Sequence, residues 1–100
     1  MDTTVTKEEG KYIVAIEGRV DTTTSPELDE TLSALTEETG IQLVLDCSDM
    51  DYISSAGLRV LLKAQKAVSA NGGNMVIKNP SASVNSVFSI TGFSNFLTIE

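Results

Sequence analysis

The sequence predicts a single α/β domain over residues 1–100, with a mixed, mostly parallel sheet of about five strands and three main helices. Three observations predict this class. Short apolar runs alternate with stretches of helical periodicity, which is typical of parallel strands joined by helices. Turn residues, chiefly glycine, separate these runs. A chain of 100 residues, 41% of them hydrophobic, can also bury one core without a disulfide or a metal.

A β-hairpin is predicted at the start of the chain. Lys11 to Glu17 has the pattern of a strand and follows a predicted turn at Glu9-Gly10. Thr3 to Glu8 lies directly before that turn. We therefore expect it to pair with the strand that follows.

The first helix is predicted after a cluster of hydroxyl residues. Thr24 and Glu27 have the spacing of a capping box, and Pro26 is tolerated in a first turn. Gly40 offers a left-handed C-cap, so the helix is expected to end near Thr39-Gly40. Its helical spacing is carried by Leu28, Leu32 and Leu35.

Two buried strands and the second helix are predicted in the middle of the chain. Ile41 to Leu45 is a nearly continuous apolar run, as expected of a central strand covered on both faces. It leads through a loop to Ser54, and the helix that follows is expected to end near residues 70–73. Asn74 to Lys78 has the pattern of another buried strand.

A third helix and a last strand complete the predicted elements. Asn79-Pro80-Ser81 is expected to end the preceding strand and to cap this helix. The helix is expected to run until Gly92, and Phe96 to Ile99 to form a short strand. Its helical spacing is carried by Val84, Val87, Phe88 and Ile90.

Composition and charge argue against several classes of function. The chain has 14 acidic and 7 basic residues, a net charge of -7, whereas nucleic acid binding depends on clustered Lys and Arg. It has no apolar run of about 18 residues and no basic and then apolar N-terminus, so we expect neither a membrane span nor export. The single Cys47 fits a reducing compartment. These features predict a cytoplasmic protein that meets protein partners.

Ser54 and Ser55 stand where a loop is expected to become the second helix. The first turn of a helix has unpaired N–H groups and the positive end of the macrodipole, so it suits either a serine cap or a phosphate. Gly57 allows close approach of another backbone, either a partner's or one within the domain. Projection at about 100° per residue places the polar residues on one stripe, formed by Ser55, Arg59, Lys63 and Lys66.

The residue inventory argues against an enzyme and against a metal site. The chain has no His, and the segment around Ser55 lacks the Gly-x-Ser-x-Gly pattern of a hydrolase. A serine nucleophile needs a base, and the lysines of the stripe are expected to be exposed rather than buried and neutral. Asp46, Asp49 and Asp51 lack the spacing of a calcium loop and are expected to form a solvated acidic loop. We therefore expect no catalytic residue, no cofactor and no metal.

Several segments along the chain carry a family resemblance. The segment from Gly18 to Asp21, together with the threonines that follow, resembles the residues that lead into the first helix of a known family. The segment from Leu43 to Asp46 resembles the central strand of the same family. Ile53 to Leu58 resembles a phosphorylation segment that is usually Asp-Ser-Ser/Thr-Gly-Leu. Gly72-Gly73 and Ser83 to Phe88 resemble a later turn and the third helix. The family is the STAS domain of the bacterial anti-sigma-factor antagonist class, and the resemblance covers nearly the whole chain.

The resemblance implies that Ser55 is the phosphorylated residue, because the family's phosphorylated serine also lies two residues before the glycine. Ser54 replaces the usual Asp and is the alternative acceptor, and Ala56 replaces the second hydroxyl residue. The threonine-rich loop after Asp21 is either a turn and cap cluster or, as the resemblance suggests, a partner contact. The expected partner-binding residues are Asp21, Thr22, Thr23, Ser54, Ala56, Gly57 and Arg59.

The function that the resemblance implies is a partner switch. The unphosphorylated domain would bind an anti-sigma factor that is a serine kinase, releasing a sigma factor or another target until that kinase phosphorylates it. A serine phosphatase would reset the switch, and the free domain is expected to be a monomer. The alternative is a STAS scaffold or small-ligand-binding module without phosphoregulation.

Overall fold

A six-stranded mixed sheet and three helices form the domain in the computed structural model, which describes all 100 residues. The predicted fold class is confirmed. The strands are β1 (Asp2–Glu8), β2 (Lys11–Val20), β3 (Gln42–Asp46), β4 (Met50–Ile53), β5 (Asn74–Lys78) and β6 (Thr98–Ile99). The helices are α1 (Ser25–Thr36), α2 (Ser55–Ala70) and α3 (Ala82–Ile90), and a short 3-10 helix covers Phe93–Asn95.

The sheet has the strand order β1-β2-β3-β5-β6, and β4 pairs with the end of β2. The β1–β2 pair is antiparallel, as the predicted hairpin requires, and the other pairings are parallel. Strand β4 was not predicted, because its segment was assigned to the loop before Ser54. Asp46 and Asp51 therefore lie in strands, and the prediction that they belong to a solvated acidic loop is wrong; only Asp49 lies in the turn between β3 and β4.

The core lies on one face of the sheet. Leu43 and Leu45 of β3 are buried there, beside buried residues of β2 and β5 in the same register. On the opposite face, Gln42 is exposed and Val44 only half-buried. The prediction that this strand is covered on both faces is therefore wrong, because the buried side chains of the helices all join the core of the first face.

Helix α1 ends at Thr36, earlier than the predicted end near Thr39-Gly40. The side chain of Asn71, at the end of α2, donates a hydrogen bond of 2.8 Å to the carbonyl of Thr36. The amide of Gly40 donates one of 2.8 Å to the Asn71 carbonyl. The chain between the helix and β3 is therefore held against the end of α2, and α1 stops where this contact begins.

Helix α3 begins as predicted but its last apolar residue faces solvent. The hydroxyl of Ser81 accepts a hydrogen bond of 3.2 Å from the amide of Val84, which confirms Ser81 as the cap. Val84 and Phe88 are buried in the core, whereas Ile90 is 85% exposed. The buried apolar face of α3 therefore ends at Phe88, two residues before the helix does.

Candidate functional site

The candidate site is built where β4 leads into α2. Ile53 is buried and aligned with Val20 of β2. The next residue, Ser54, has extended backbone angles, φ -92° and ψ 174°, and its amide donates a hydrogen bond of 2.8 Å to the Val20 carbonyl. The helix begins at Ser55. Strand pairing therefore fixes the start of α2 against the end of β2.

The two serines have different roles in the structure. The Ser54 hydroxyl is half-buried and accepts a hydrogen bond of 3.3 Å from the amide of Gly57, so Ser54 is the N-cap. The Ser55 side chain is exposed, and its hydroxyl makes no hydrogen bond within the domain. The sequence left open which serine caps the helix. The structure assigns the cap to Ser54 and leaves the Ser55 hydroxyl free.

The exposed face of α2 has the polar stripe that the helical projection predicts. Ser55, Arg59, Lys63 and Lys66 are all exposed. Lys63 donates hydrogen bonds of 3.0 Å and 3.2 Å to the two carboxylate oxygens of Asp29 on α1. These bonds hold the pKa of Asp29 below its usual value. Asp29 was not predicted, because a cross-helix ion pair has no signal in either helix alone.

The loop between β2 and α1 is folded around the carboxylate of Asp21. This carboxylate accepts hydrogen bonds from the amides of Thr24, at 3.1 Å, and Thr23, at 3.0 Å. Together with the nearby Thr24 hydroxyl, these bonds hold the pKa of Asp21 below its usual value. Thr22 and Thr23 are exposed, so the loop is a turn that presents two threonines to solvent.

The predicted capping box of Thr24 and Glu27 is wrong. The Thr24 hydroxyl makes no bond to the first turn of α1. It accepts a hydrogen bond of 2.9 Å from the amide of Asp21 and donates one of 2.9 Å to the carbonyl of Arg19. The loop uses this hydroxyl for its own closure, and the helix starts without a side-chain cap.

A groove of about 320 Å³ lies between the first turns of α1 and α2. It brings together two of the predicted partner-binding residues, Ala56 and Arg59, with residues of α1 that were not predicted. The groove is open and carries one acidic and two basic side chains. Its lining residues are Ser25, Pro26, Asp29, Ala56, Arg59, Val60 and Lys63.

Packing within the domain explains why position 57 is a glycine. It is buried in the first turn of α2, and a Cβ there would lie 2.7 Å from Val20 Cγ1 and 2.8 Å from Ile53 Cγ1. Both distances are shorter than carbon atoms tolerate, so only glycine lets the helix lie this close to the β2–β4 pair. A contact between Gly57 and a partner remains a prediction.

An exposed Arg-Tyr pair lies beside the site. The guanidinium of Arg19 on β2 stacks over the ring of Tyr52 on β4, 4.3 Å from its centroid. Such stacking is favourable through the quadrupole of the ring. Tyr52 is 39% exposed. Sequence reasoning missed this pair, because the two residues become neighbours only through the parallel β2–β4 register.

Other reactive groups give no arrangement for catalysis. Burial, with a smaller contribution from Asp46, raises the pKa of the Cys47 thiol to about 12, so this cysteine is not a thiolate near neutral pH. No three His, Cys, Asp or Glu side chains lie close enough together to hold a metal ion. No helix has the length and apolar character needed to cross a membrane.

Comparisons of the sequence and of the structure with known proteins agree with one another. A family model described as STAS domain matches residues 2–100. The protein BtrV of Bordetella bronchiseptica is 33% identical over 99 residues, covering 99% of this chain and 85% of BtrV. The anti-sigma-B factor antagonist of Bacillus subtilis is 32% identical over 96 residues, with 96% and 87% covered. The phosphorylated form of the Bacillus cell fate determinant SpoIIAA superimposes with a TM-score of 0.76 at 14% identity, covering 99% of this chain and 91% of SpoIIAA.

The two serines are expected to differ in their effect on stability. Ser54→Ala removes the cap of α2 and should lower the free energy of unfolding by about 1 kcal/mol. Ser55→Ala removes an exposed hydroxyl without a partner and should change it by less than about 0.5 kcal/mol. Urea denaturation of both variants measures the difference. Equal losses would contradict the assignment of the cap.

Gly57→Ala is expected to destabilise the domain through its contact with Val20. Over-packing costs about 1–3 kcal/mol, against a gain of about 1 kcal/mol from replacing a helical glycine, so we expect a net loss near 1 kcal/mol. The control is the same change in a Val20→Ala background, which removes the shorter of the two close contacts and leaves the one with Ile53, so the loss should be smaller there. A similar loss in both backgrounds, measured by urea denaturation, would rule out this contact as the cause.

Proposed function

The chain belongs to the STAS domain family, and we propose that it is an anti-sigma factor antagonist whose partner binding is controlled by phosphorylation of Ser55. In this proposal the unphosphorylated domain binds an anti-sigma factor that is a serine kinase, and thereby frees a sigma factor or another target. The kinase phosphorylates the domain and a serine phosphatase restores it. The domain acts in the cytoplasm, is a monomer when free, and is not itself an enzyme.

The free hydroxyl of Ser55 is the observation that carries this proposal. Ser55 is exposed at the first residue of α2, whereas the Ser54 hydroxyl is occupied by the Gly57 amide. A kinase can therefore reach Ser55 without breaking a hydrogen bond of the fold. The helix start also tolerates an anion, because its first amides have no partner within the helix and carry the positive end of the macrodipole.

The proposed partner surface surrounds Ser55. It includes the loop after β2 and the first turn of α2. The carbonyl of Val20, the last residue of β2, accepts a hydrogen bond from the Ser54 amide. Thr22, Thr23 and Arg59 are exposed on this surface. The full set of proposed contacts is Asp21, Thr22, Thr23, Ser54, Ala56, Gly57 and Arg59. Gly57, being buried, contributes through the close packing that it permits.

Phosphorylation is proposed to act through local charge and bulk rather than refolding. The γ-phosphoryl group of ATP bonds to the Ser55 oxygen, the hydroxyl loses its proton, and ADP leaves. The phosphate adds a charge of about -1.5 to -2. The carboxylate of Asp21, on the same proposed surface, is also kept ionised by its hydrogen bonds, which lower its pKa. A partner surface that fits the neutral hydroxyl then meets concentrated negative charge without a change in the fold.

The alternative function is a scaffold or small-ligand module without phosphoregulation. The groove between α1 and α2, at about 320 Å³, lies at the lower limit of ligand sites. Such sites are mainly apolar, whereas this groove carries Asp29, Arg59 and Lys63. These polar groups favour a protein contact over a small apolar ligand.

Phosphotransfer from the cognate kinase tests the proposed site. The domain is incubated with ATP and that kinase, and peptide mass spectrometry locates the phosphate. We expect modification of Ser55 in the unaltered chain and in Ser54→Ala, and none in Ser55→Ala. Phosphate on Ser54 alone would contradict the assignment, and stable binding to partners without modification of either serine would favour the scaffold.

Ser55→Asp is expected to lose affinity for the kinase by roughly tenfold or more, because a carboxylate replaces a neutral hydroxyl at the centre of the proposed contact. The matched control is Ser55→Asn, which has nearly the same shape without the charge and should bind more tightly than Ser55→Asp. Calorimetry measures both affinities, and circular dichroism should show the same fold. A grossly altered spectrum, or equal affinities, would contradict a switch based on charge.

A further inference from the structure

Arg59 lies one turn after Ser55 on the exposed stripe of α2. We infer that the guanidinium of Arg59 pairs with the phosphate of phosphorylated Ser55, so that phosphorylation also withdraws this arginine from the partner-binding surface. The inference rests on the proposed function and adds a second consequence of the same modification. A single phosphate would then remove two contacts, the serine hydroxyl and the arginine cation.

Helix geometry brings the two side chains together. Residues four apart are separated by about 6 Å along the axis and by about 40° around it, so they are neighbours on the helix surface. Ser55 and Arg59 are both exposed on that face. The anion is N-terminal to the cation, which is the favoured order for a pair at this spacing.

Arg59 is the cation near Ser55 that has no other partner. The domain has one salt bridge, and it joins Lys63 to Asp29. Arg19 is stacked on Tyr52. Lys66 is also unpaired, but it lies eleven residues after Ser55, about 16 Å along the helix. Arg59 makes no hydrogen bond to a carboxylate, so it can move to the phosphate without breaking an existing ion pair.

The chemistry of the two groups suits this pairing. A phosphoserine dianion offers three acceptor oxygens, and a guanidinium presents parallel N–H donors that bind phosphate in a bidentate manner. The pairing forms no covalent bond and moves no proton. In the unphosphorylated domain the neutral hydroxyl has no charge to hold Arg59, which stays free on the groove wall.

An experiment must separate the effect of Arg59 on the phosphate from the effects of other charged residues. The elements that meet at the start of α2 carry other charged residues: Arg19 on β2, Asp21 in the loop before α1, Glu27 and Asp29 on α1, Asp51 on β4 and Lys63 on α2. The acidic groups raise the second pKa of a phosphate on Ser55 and the basic groups lower it. A change at Arg59 alone leaves all of these in place. The difference between variants therefore reports the pair.

Phosphorus NMR on the domain with phosphoserine introduced at position 55 during synthesis tests the inference without any kinase. The second pKa of this phosphate, near 6 for a free phosphoserine, is measured in the unaltered chain and in Arg59→Gln. We expect Arg59→Gln to raise it by about 0.3 unit, the size of a helical ion pair at this spacing. Arg59→Lys should restore part of the shift, because the charge remains without the planar fork.

Lys66→Gln is the matched control, since it removes the same charge from the same stripe three turns away. It should change the pKa by less than about 0.1 unit, because screening at physiological salt acts over about 8 Å. The Arg59 side-chain N–H signal should also shift on phosphorylation of Ser55. Equal pKa values for Arg59→Gln and the unaltered chain, or equal shifts for Arg59→Gln and Lys66→Gln, would overturn the pair.

The failure of this inference and that of the proposed function are distinguishable. Phosphoserine is installed chemically here, so an absent pair leaves the phosphotransfer result untouched. Conversely, a kinase that modifies no serine would refute the switch while the titration still decides whether the pair forms. Because Arg59 is exposed, its variants are expected to keep the fold, which circular dichroism checks.

Discussion

The pairing of β4 with the end of β2 is the constraint on which the candidate site depends. The first part of β2 pairs with β3, and its last three residues pair with β4, with a register shift inside this second pairing between Gly18 and Arg19. Gly18 has a φ of 89°, a left-handed conformation that glycine adopts without strain. Strand β2 therefore pairs with two neighbours in succession. Its pairing with β4 places the loop after Val20 beside the residue that caps α2.

The position of the cap then decides what each serine can do. Because Ser54 is held by Val20 and caps the helix, α2 must begin at the next residue, and that residue has no bond to make. A helix starting one residue later would reverse the two roles. The closeness of Gly57 to Val20 and Ile53 opposes such a shift, since any other residue there would collide with the strands. Backbone pairing, capping and packing thus agree on one free hydroxyl.

The sequence predicts the elements whose hydrophobic pattern lies within their own residues. It fails where contacts with other elements determine the local structure. Strand β4 has only its first and last residues buried, a pattern without alternation, so it is visible only once β2 is beside it. The Thr24–Glu27 spacing is that of a capping box, but the Arg19 carbonyl competes for the threonine hydroxyl. The apolar run of β3 could not show which face the helices cover. By contrast, the stripe on α2 follows from helical periodicity alone and was predicted residue by residue.

The distribution of charge explains why the stripe matters in an acidic domain. The chain has a net charge of -7, yet α2 contains no acidic residue and three of the seven basic ones. At physiological salt, charges separated by more than about 8 Å are largely screened from one another. A partner therefore responds to the few groups around the first turn of α2 rather than to the net charge. A phosphate on Ser55 adds a charge of about -1.5 to -2 at that point, which is more than the single Arg59 cation offsets.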